Sequence, residues 1–213
     1  IEWWENLSND VRQWRYLSVD QSRPKNQMGK MGLVFDDINR DGNLDIIAGT
    51  FLYMNPGNDL QYPWEKIELY QNMDVYFSVD VDGDRISDLI GVAENNIYWL
   101  EATNGKADSW RAIKIAEIPE GRTQGYVKAH VFPGSKPELI FSRGKNLFYI
   151  QLPESHPEKG NWNIVRISSD VEEEGVAAGD LDRDGDTDIV AVSADGHHIV
   201  WFENTGRNSE DWP

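Results

Sequence analysis

The stretch Asp180–Asp188 reads DLDRDGDTD and runs at once into the apolar letters IVAV, and this pairing of an acidic loop with a strand decides the fold. Nearly the same nine-residue pattern stands at Asp37–Asp45, DINRDGNLD, and at Asp80–Asp88, DVDGDRISD. Each loop has a carboxylate or amide oxygen at its first, third, fifth and ninth positions. Crowded carboxylates repel one another unless a hard cation lies between them, and Ca²⁺ accepts roughly six to eight oxygen ligands.

Each loop is therefore predicted to supply four side-chain oxygens and the backbone carbonyl of its seventh residue. The predicted metal ligands are Asp37, Asn39, Asp41, Asn43 and Asp45 in the first loop, Asp80, Asp82, Asp84, Ile86 and Asp88 in the second, and Asp180, Asp182, Asp184, Asp186 and Asp188 in the third. The alternative is an acidic turn without metal, since Asp, Asn and Gly are common turn residues.

The sixth position of the loop is predicted to need a positive φ. Gly42 and Gly185 permit it, whereas Arg85 makes the geometry of the second loop the least certain. An EF-hand loop would require a glutamate at its twelfth position and helices on both sides. Strand-like runs follow these loops instead, so each loop connects two strands.

A period of about 50 residues runs through the chain. Tryptophans mark it at spacings of 50, 46, 52 and 50 residues: Trp14, Trp64, Trp110, Trp162 and Trp212. Each unit reads as strand, acidic turn, strand, short turn, aromatic strand, loop and a strand opened by tryptophan. Four short strands in each repeat are typical of a β-propeller blade, so we predict an all-β propeller of four-stranded blades with about four repeats.

The pattern divides the single repeat array into a half blade at 1–29, blades at roughly 30–73, 74–120 and 121–170, and a partial blade at 171–213. The leading strands could complete the trailing blade and close a small four-bladed ring, which would remove the free edges. Alternatively, the chain is a slice of a larger propeller of about seven or eight blades. The repetition of the same strands at both ends favours the larger propeller, whose remaining blades would then be partners of this chain.

The loops GDLDRDGDTDIVAV and VFDDINRDGNLDIIAG, with VWFENTG and the spaced tryptophans, resemble the VCBS/FG-GAP family of calcium-binding propeller repeats. The resemblance extends over essentially the whole chain. That family includes the propeller of integrin α subunits and many secreted bacterial proteins. The resemblance implies up to three Ca²⁺ ions, each in the turn between the first and second strands of a blade.

The third unit departs from the family pattern. Aligned on Glu138, its segment HVFPGSKPE has His130, Phe132, Gly134 and Lys136 at positions where the other loops have ligands or the ligand carbonyl. We expect this unit to keep the hairpin and to lack the ion. Accordingly, Asp184→Ala should weaken the protein more than Lys136→Ala, because only the aspartate is a predicted ligand.

The amino-acid composition limits which partners the protein can bind and indicates its cellular compartment. The 213 residues include 37 acidic against 20 basic side chains, a formal charge of −17 that disfavours nucleic acid. Cysteine is absent, so disulfides and thiol chemistry are excluded. The sequence has no apolar run of about 18 residues that would cross a membrane. Loops of this kind bind Ca²⁺ where its concentration is high, which predicts an extracellular, periplasmic or cell-surface location.

Tyr126, Lys128 and His130 are candidates for a channel site because they alternate along a predicted innermost strand and share one face. Such a row could abstract a proton, as in a polysaccharide lyase. A polar channel wall without chemistry is the favoured alternative. The nine tryptophans invite a sugar-binding interpretation, but their regular register favours packing between blades.

The function predicted from these features is a secreted, calcium-binding propeller that serves as a binding or scaffold module for carbohydrate or a cell-surface partner. One alternative is a part of a polysaccharide-degrading enzyme, a lyase or glycosidase, with its site at the channel mouth. A second alternative is a cell-adhesion protein.

Overall fold

The computed structural model describes residues 2–7, 13–22, 25, 30–57, 59–61, 63–70, 72–160 and 162–206. These residues form seventeen short β-strands and a single turn of 3₁₀ helix at Pro157–Lys159. The strands are β1 (Glu2–Asn6), β2 (Trp14–Ser18), β3 (Leu33–Asp36), β4 (Asp45–Ala48), β5 (Phe51–Met54), β6 (Glu65–Glu68), β7 (Asp74–Val79), β8 (Asp88–Ala93), β9 (Asn96–Ala102), β10 (Trp110–Glu117), β11 (Tyr126–Ala129), β12 (Glu138–Arg143), β13 (Asn146–Gln151), β14 (Asn163–Ser168), β15 (Val171–Gly179), β16 (Asp188–Ser193) and β17 (Ile199–Phe202).

Four antiparallel sheets form the blades of a β-propeller, which confirms the predicted fold class. Blade 1 is β3–β6, blade 2 is β7–β10 and blade 3 is β11–β14, each with its four strands in chain order. Blade 4 is the three-stranded sheet β15–β17, and the leading hairpin β1–β2 forms a sheet of its own. The innermost strands β3, β7, β11 and β15 contact one another in sequence around the channel.

The second strand of each four-stranded blade is buried along its whole length, as in β8, DLIGVA, and β12, ELIFSR. Neighbouring blades cover both faces of β8 and β12, so the central residues of these strands are apolar on both faces rather than alternating. The hydrophobic core consequently lies between blades. Its three largest clusters join Leu52 to Leu100, Ile90 to Phe141, and Tyr149 to Ile189 across successive blade pairs.

The tryptophans of the four-stranded blades have the packing role that their register predicts. Trp99 and Trp162 are buried and join blades 2 and 3, with ring centroids 6.1 Å apart. Trp64 and Trp110 are half-buried at the start of outer strands. Repetition in register thus does reflect contact between blades.

The packing interpretation fails for Trp4, Trp14 and Trp201, which are 56, 50 and 47% exposed. These three lie in the leading hairpin and in blade 4, the two sheets with fewer than four described strands, so a neighbouring sheet covers less of them. The strand that Trp212 should open and the side chain of Trp3 lie outside the described residues.

The two arrangements predicted for the ring can be compared at the leading hairpin. Its strands pair with each other from Glu2 opposite Ser18 to Asn6 opposite Trp14, and within the described residues they do not pair with blade 4. Closure of a ring by joining leading and trailing strands is therefore not seen in the described part of the chain. Membership of a larger propeller stays a prediction.

Candidate metal loops and channel cavities

The three acidic loops share one backbone conformation. In each, the fourth and sixth residues have positive φ. The angles are 60° and 90° at Arg40 and Gly42, 85° and 71° at Gly83 and Arg85, and 67° and 100° at Arg183 and Gly185. The second loop is thus as regular as the others, because Arg85 adopts the left-handed conformation that glycine adopts elsewhere, at the cost of some steric strain.

The carboxylates of each loop are oriented by its own backbone. In the third loop Asp180 Oδ1 accepts a hydrogen bond from the Arg183 N–H at 2.7 Å, and its Oδ2 accepts one from the Gly185 N–H at 3.2 Å. Asp184 accepts from the Asp186 N–H at 2.9 Å. The chain therefore wraps around its acidic side chains, an arrangement that serves a turn and a cation site alike.

The donor set fits a hard divalent cation in two of the loops most directly. Carboxylate oxygens lie within 4.8 Å of one another in two triplets: Asp80, Asp82 and Asp88, and Asp180, Asp182 and Asp184. Burial, and after it the charges of Asp82 and Asp80, raise the pKa of Asp84. Burial and its charged neighbours likewise raise the pKa of Asp182. A bound cation would offset this repulsion.

The first loop has an amide in place of one carboxylate. Asn39 Nδ2 donates to Asp41 Oδ2 at 3.0 Å, and the Asn43 N–H donates to Asp41 Oδ1 at 2.8 Å. This last hydrogen bond is the main reason that the pKa of Asp41 is lowered. The loop offers the same oxygen positions with one charge fewer.

The ninth residue of each loop has a structural role that the sequence did not indicate. Asp45 is fully buried. Its Oδ2 accepts from the Ile38 N–H at 3.0 Å and its Oδ1 from the Asn55 N–H at 2.8 Å, so it joins the loop to the end of strand β5. Asp88 and Asp188 repeat this pair of hydrogen bonds in their own blades. Burial raises the pKa of Asp45, and it raises the pKa of Asp88 to about 7.

The third hairpin keeps this shape with a different acid. Glu138 Oε2 accepts from the N–H groups of Val131 and Phe132 at 2.9 and 3.2 Å. Lys136 Nζ donates to the Pro153 carbonyl at 2.6 Å and to the Val81 carbonyl, in the loop of blade 2, at 2.8 Å. Lys136 therefore links two blades, a contact that its position in the sequence did not indicate.

Replacing Lys136 with methionine is expected to lower the free energy of unfolding by about 1–2 kcal/mol, because two carbonyl groups lose a charged donor. The loss should be equal in calcium and in chelator, since no metal ligand is removed. Urea denaturation of this variant beside Lys106→Met, which changes an exposed lysine, measures the effect. Equal stability of the two variants would contradict the assignment.

The first cavity is the channel between the innermost strands of blades 1, 2 and 3, with a volume of about 310 Å³. Tyr126 and Lys128 line it. The Tyr126 hydroxyl accepts from the Leu33 N–H at 2.8 Å, and Lys128 Nζ donates to the Ser78 carbonyl at 2.7 Å. Burial raises the pKa of Tyr126, which keeps its hydroxyl neutral. His130 is exposed beyond the end of β11 and is not part of the cavity lining.

These contacts bring Tyr126 and Lys128 together as links between blades rather than as free acid–base groups. The predicted catalytic row is therefore incomplete in the cavity. The remaining histidines are exposed, and two have acidic partners: His156 Nδ1 lies 3.2 Å from Glu158, and His198 Nδ1 lies 3.1 Å from Asp195.

A second cavity of about 330 Å³ lies where the innermost strands begin, on the face of the propeller away from the acidic loops. Blades 1, 2 and 3 and their connections all contribute to it. Its polar lining includes Lys30, Asp74, Glu94, Arg122, Thr123 and Arg143. Sequence reasoning missed this group, because its members come from separate repeats and form no local motif.

Comparison with known proteins finds a solved structure of similar fold but no matching family. No protein-family model matches the sequence, and no curated protein matches it. Among solved structures, the chain is similar to an Agrocybe aegerita lectin described as recognising non-reducing terminal N-acetylglucosamine, with 14% identity and a TM-score of 0.53. The match covers 84% of this chain and 50% of the lectin chain, so this chain spans about half the length of that protein. None of the helical residues described here forms a segment able to span a membrane.

Proposed function

We propose that this chain is a carbohydrate-binding propeller module. The observation that carries the proposal is the polar cavity that three blades build at one end of the channel, in a fold shared with a lectin that recognises N-acetylglucosamine. A concave site with convergent polar groups is the usual form of a small-ligand site.

Calcium is the proposed structural ion of the acidic loops. The support is their all-oxygen donor set, their common conformation and their resemblance to VCBS/FG-GAP repeats. The holding residues would be the fifteen ligands named from the sequence, and the ion would neutralise their mutual repulsion. Weak sites of this type fill at extracellular calcium concentrations, so we propose that the module works outside the cytoplasm.

A glycan array probed with the fluorescently labelled chain tests the carbohydrate proposal. We expect binding to a restricted set of glycans. Binding should persist in chelator at temperatures well below unfolding, because the polar cavity and the acidic loops lie on opposite faces. A folded chain that retains no glycan in calcium or in chelator would refute the proposal.

The enzyme and adhesion alternatives stay predictions. No contact in the described residues favours the lyase, because Tyr126 and Lys128 are held by backbone groups of neighbouring blades.

A further inference from the structure

The polar cavity collects positive charge in a strongly acidic chain. Its lining has three cations, Lys30, Arg122 and Arg143, against two acids, Asp74 and Glu94, although the whole chain has only 20 basic residues against 37 acidic ones. Three consecutive blades bring these side chains to one place. With a volume of about 330 Å³ the cavity falls at the lower end of small-ligand sites, which span about 300–1,000 Å³.

Of the two acidic side chains in the lining, Glu94 is exposed and Asp74 is already bound by donors from the protein. Asp74 accepts hydrogen bonds from the N–H groups of Met31 and Gly32 at 2.9 and 2.8 Å and from the Tyr76 hydroxyl at 2.8 Å. Within the described residues, neither Arg122 nor Arg143 forms an ion pair with it or with another acid. The two arginines therefore bring positive charge to the cavity that no carboxylate in contact neutralises.

Arg143 is a buried cation bound only to neutral acceptors. It is 4% exposed, and its Nε donates to the Pro119 carbonyl at 2.7 Å. Its Nη2 donates to the Glu94 carbonyl at 2.8 Å and to Asn95 Oδ1 at 3.1 Å. Nη1 has no hydrogen-bond partner in the described part of the chain. A buried charge is costly unless an opposite charge accompanies it, and burial accordingly lowers the pKa of Arg143.

Thr123 adds a second unsatisfied donor. It is 1% exposed and lines the same cavity. It lies close enough to the Tyr76 hydroxyl to influence the pKa of Tyr76, but its own Oγ1 has no hydrogen-bond partner of acceptable geometry among the described residues. Buried polar atoms nearly always have partners, so the unpaired Thr123 hydroxyl, in a cavity that Arg143 also lines, indicates a missing acceptor.

We infer that this cavity binds the oxyanion group of an acidic sugar, a carboxylate or a sulfate ester. Arg143 Nη1 and the Thr123 hydroxyl donate to the oxyanion, and Arg122 and Lys30 add charge at the rim and wall. A charged oxygen acceptor matches these donors better than a sugar hydroxyl does, because hydrogen bonds to ionised groups are stronger. The inference rests on the proposed carbohydrate function and names the ligand class of the same cavity.

Calorimetric titration in chloride buffer tests the assignment with glucuronate and glucose 6-sulfate against glucose and N-acetylglucosamine. We expect each acidic sugar to bind at least about tenfold more tightly than glucose. Arg122→Gln should weaken glucuronate binding about fivefold. Thr123→Val should weaken it about tenfold while raising the melting temperature, because the variant removes an unpaired buried hydroxyl. Arg166→Gln, an equal charge change on the exposed face of β14, should alter neither quantity.

The outcomes separate this inference from the proposed function. Neutral glycans binding as tightly as acidic ones, with Thr123→Val and Arg122→Gln unchanged, would overturn the oxyanion site and leave carbohydrate binding intact. Equal weakening by Arg122→Gln and Arg166→Gln would also overturn it, since the attraction would then be long-range. Binding of sulfate or acetate that Thr123→Val abolishes, without binding of any sugar, would support the oxyanion site and refute the carbohydrate function.

Discussion

Replacing Asp45 with alanine is expected to lower the free energy of unfolding by about 3 kcal/mol even when calcium is absent. The fully buried carboxylate accepts the N–H groups of Ile38 and Asn55, and alanine leaves both donors without an acceptor. Those two donors belong to the loop after β3 and to the end of β5, so the substitution removes the side-chain contacts that join the start of β4 to both neighbouring strands. Urea denaturation in chelator measures the loss.

Asp41→Ala is the matched control, because Asp41 belongs to the same loop but is exposed. Its loss in chelator should stay below about 1 kcal/mol. If Asp45→Ala does not fold, Glu138→Gln provides the measurement in the hairpin that has no predicted ligand set. It should cost about 1–2 kcal/mol, with and without calcium alike. Equal losses for Asp45→Ala and Asp41→Ala in chelator would show that the ninth carboxylate has no role apart from metal binding.

Adding 10 mM Ca²⁺ to the chelated protein is expected to raise the melting temperature by about 10 °C. A site with a dissociation constant near 1 mM gains about 1.4 kcal/mol at that concentration, because the ion binds only the folded loop. Three such sites gain about 4 kcal/mol, and each kcal/mol corresponds to roughly 2–4 °C for a chain of this size. Differential scanning calorimetry with and without the ion gives the shift.

Asp184→Ala should remove about one third of that calcium-dependent gain, since it disables one of three equal sites. In chelator the same variant should melt close to the parent chain, because Asp184 is exposed. Lys136→Met should lower the melting temperature equally in both buffers and so separates metal binding from contacts between blades. If the parent chain has the same melting temperature in calcium and in chelator, the proposal that these loops bind calcium is wrong.

Local pattern predicted the blades well, because each blade is built from near neighbours in sequence. The predicted plan of four strands, with an acidic turn after the first and a tryptophan opening the last, is seen in blade 2, from β7 at Asp74–Val79 to β10 at Trp110–Glu117. Alternation, turn residues and the tryptophan period all act over a few residues, so they can be read before the fold is known. The positive φ of the sixth loop residue was predicted in the same way.

Contacts between blades were beyond such prediction. The Tyr126 hydroxyl bonds to the backbone at Leu33, 93 residues earlier, and Lys136 reaches the carbonyl of Val81, 55 residues earlier. No feature of the neighbouring sequence indicates that these residues join blades. The alternation of Tyr126 with Lys128 and His130 indicated a catalytic row instead. The buried role of Asp45 was likewise hidden, since a carboxylate at that place looks the same whether it binds metal or backbone.

The sequence by itself determined the all-β repeat, the blade plan and the position of the acidic loops, because hydrophobic period and turn chemistry are properties of adjacent residues. Only the tertiary structure decided that Lys30, Arg122 and Arg143 share one cavity, that Lys136 joins two blades, and that Trp201 is exposed while Trp99 is buried. The reason is geometric, because the packing of blades brings residues from separate repeats within contact distance. The order of residues in the sequence does not indicate which faces of two blades will pack together.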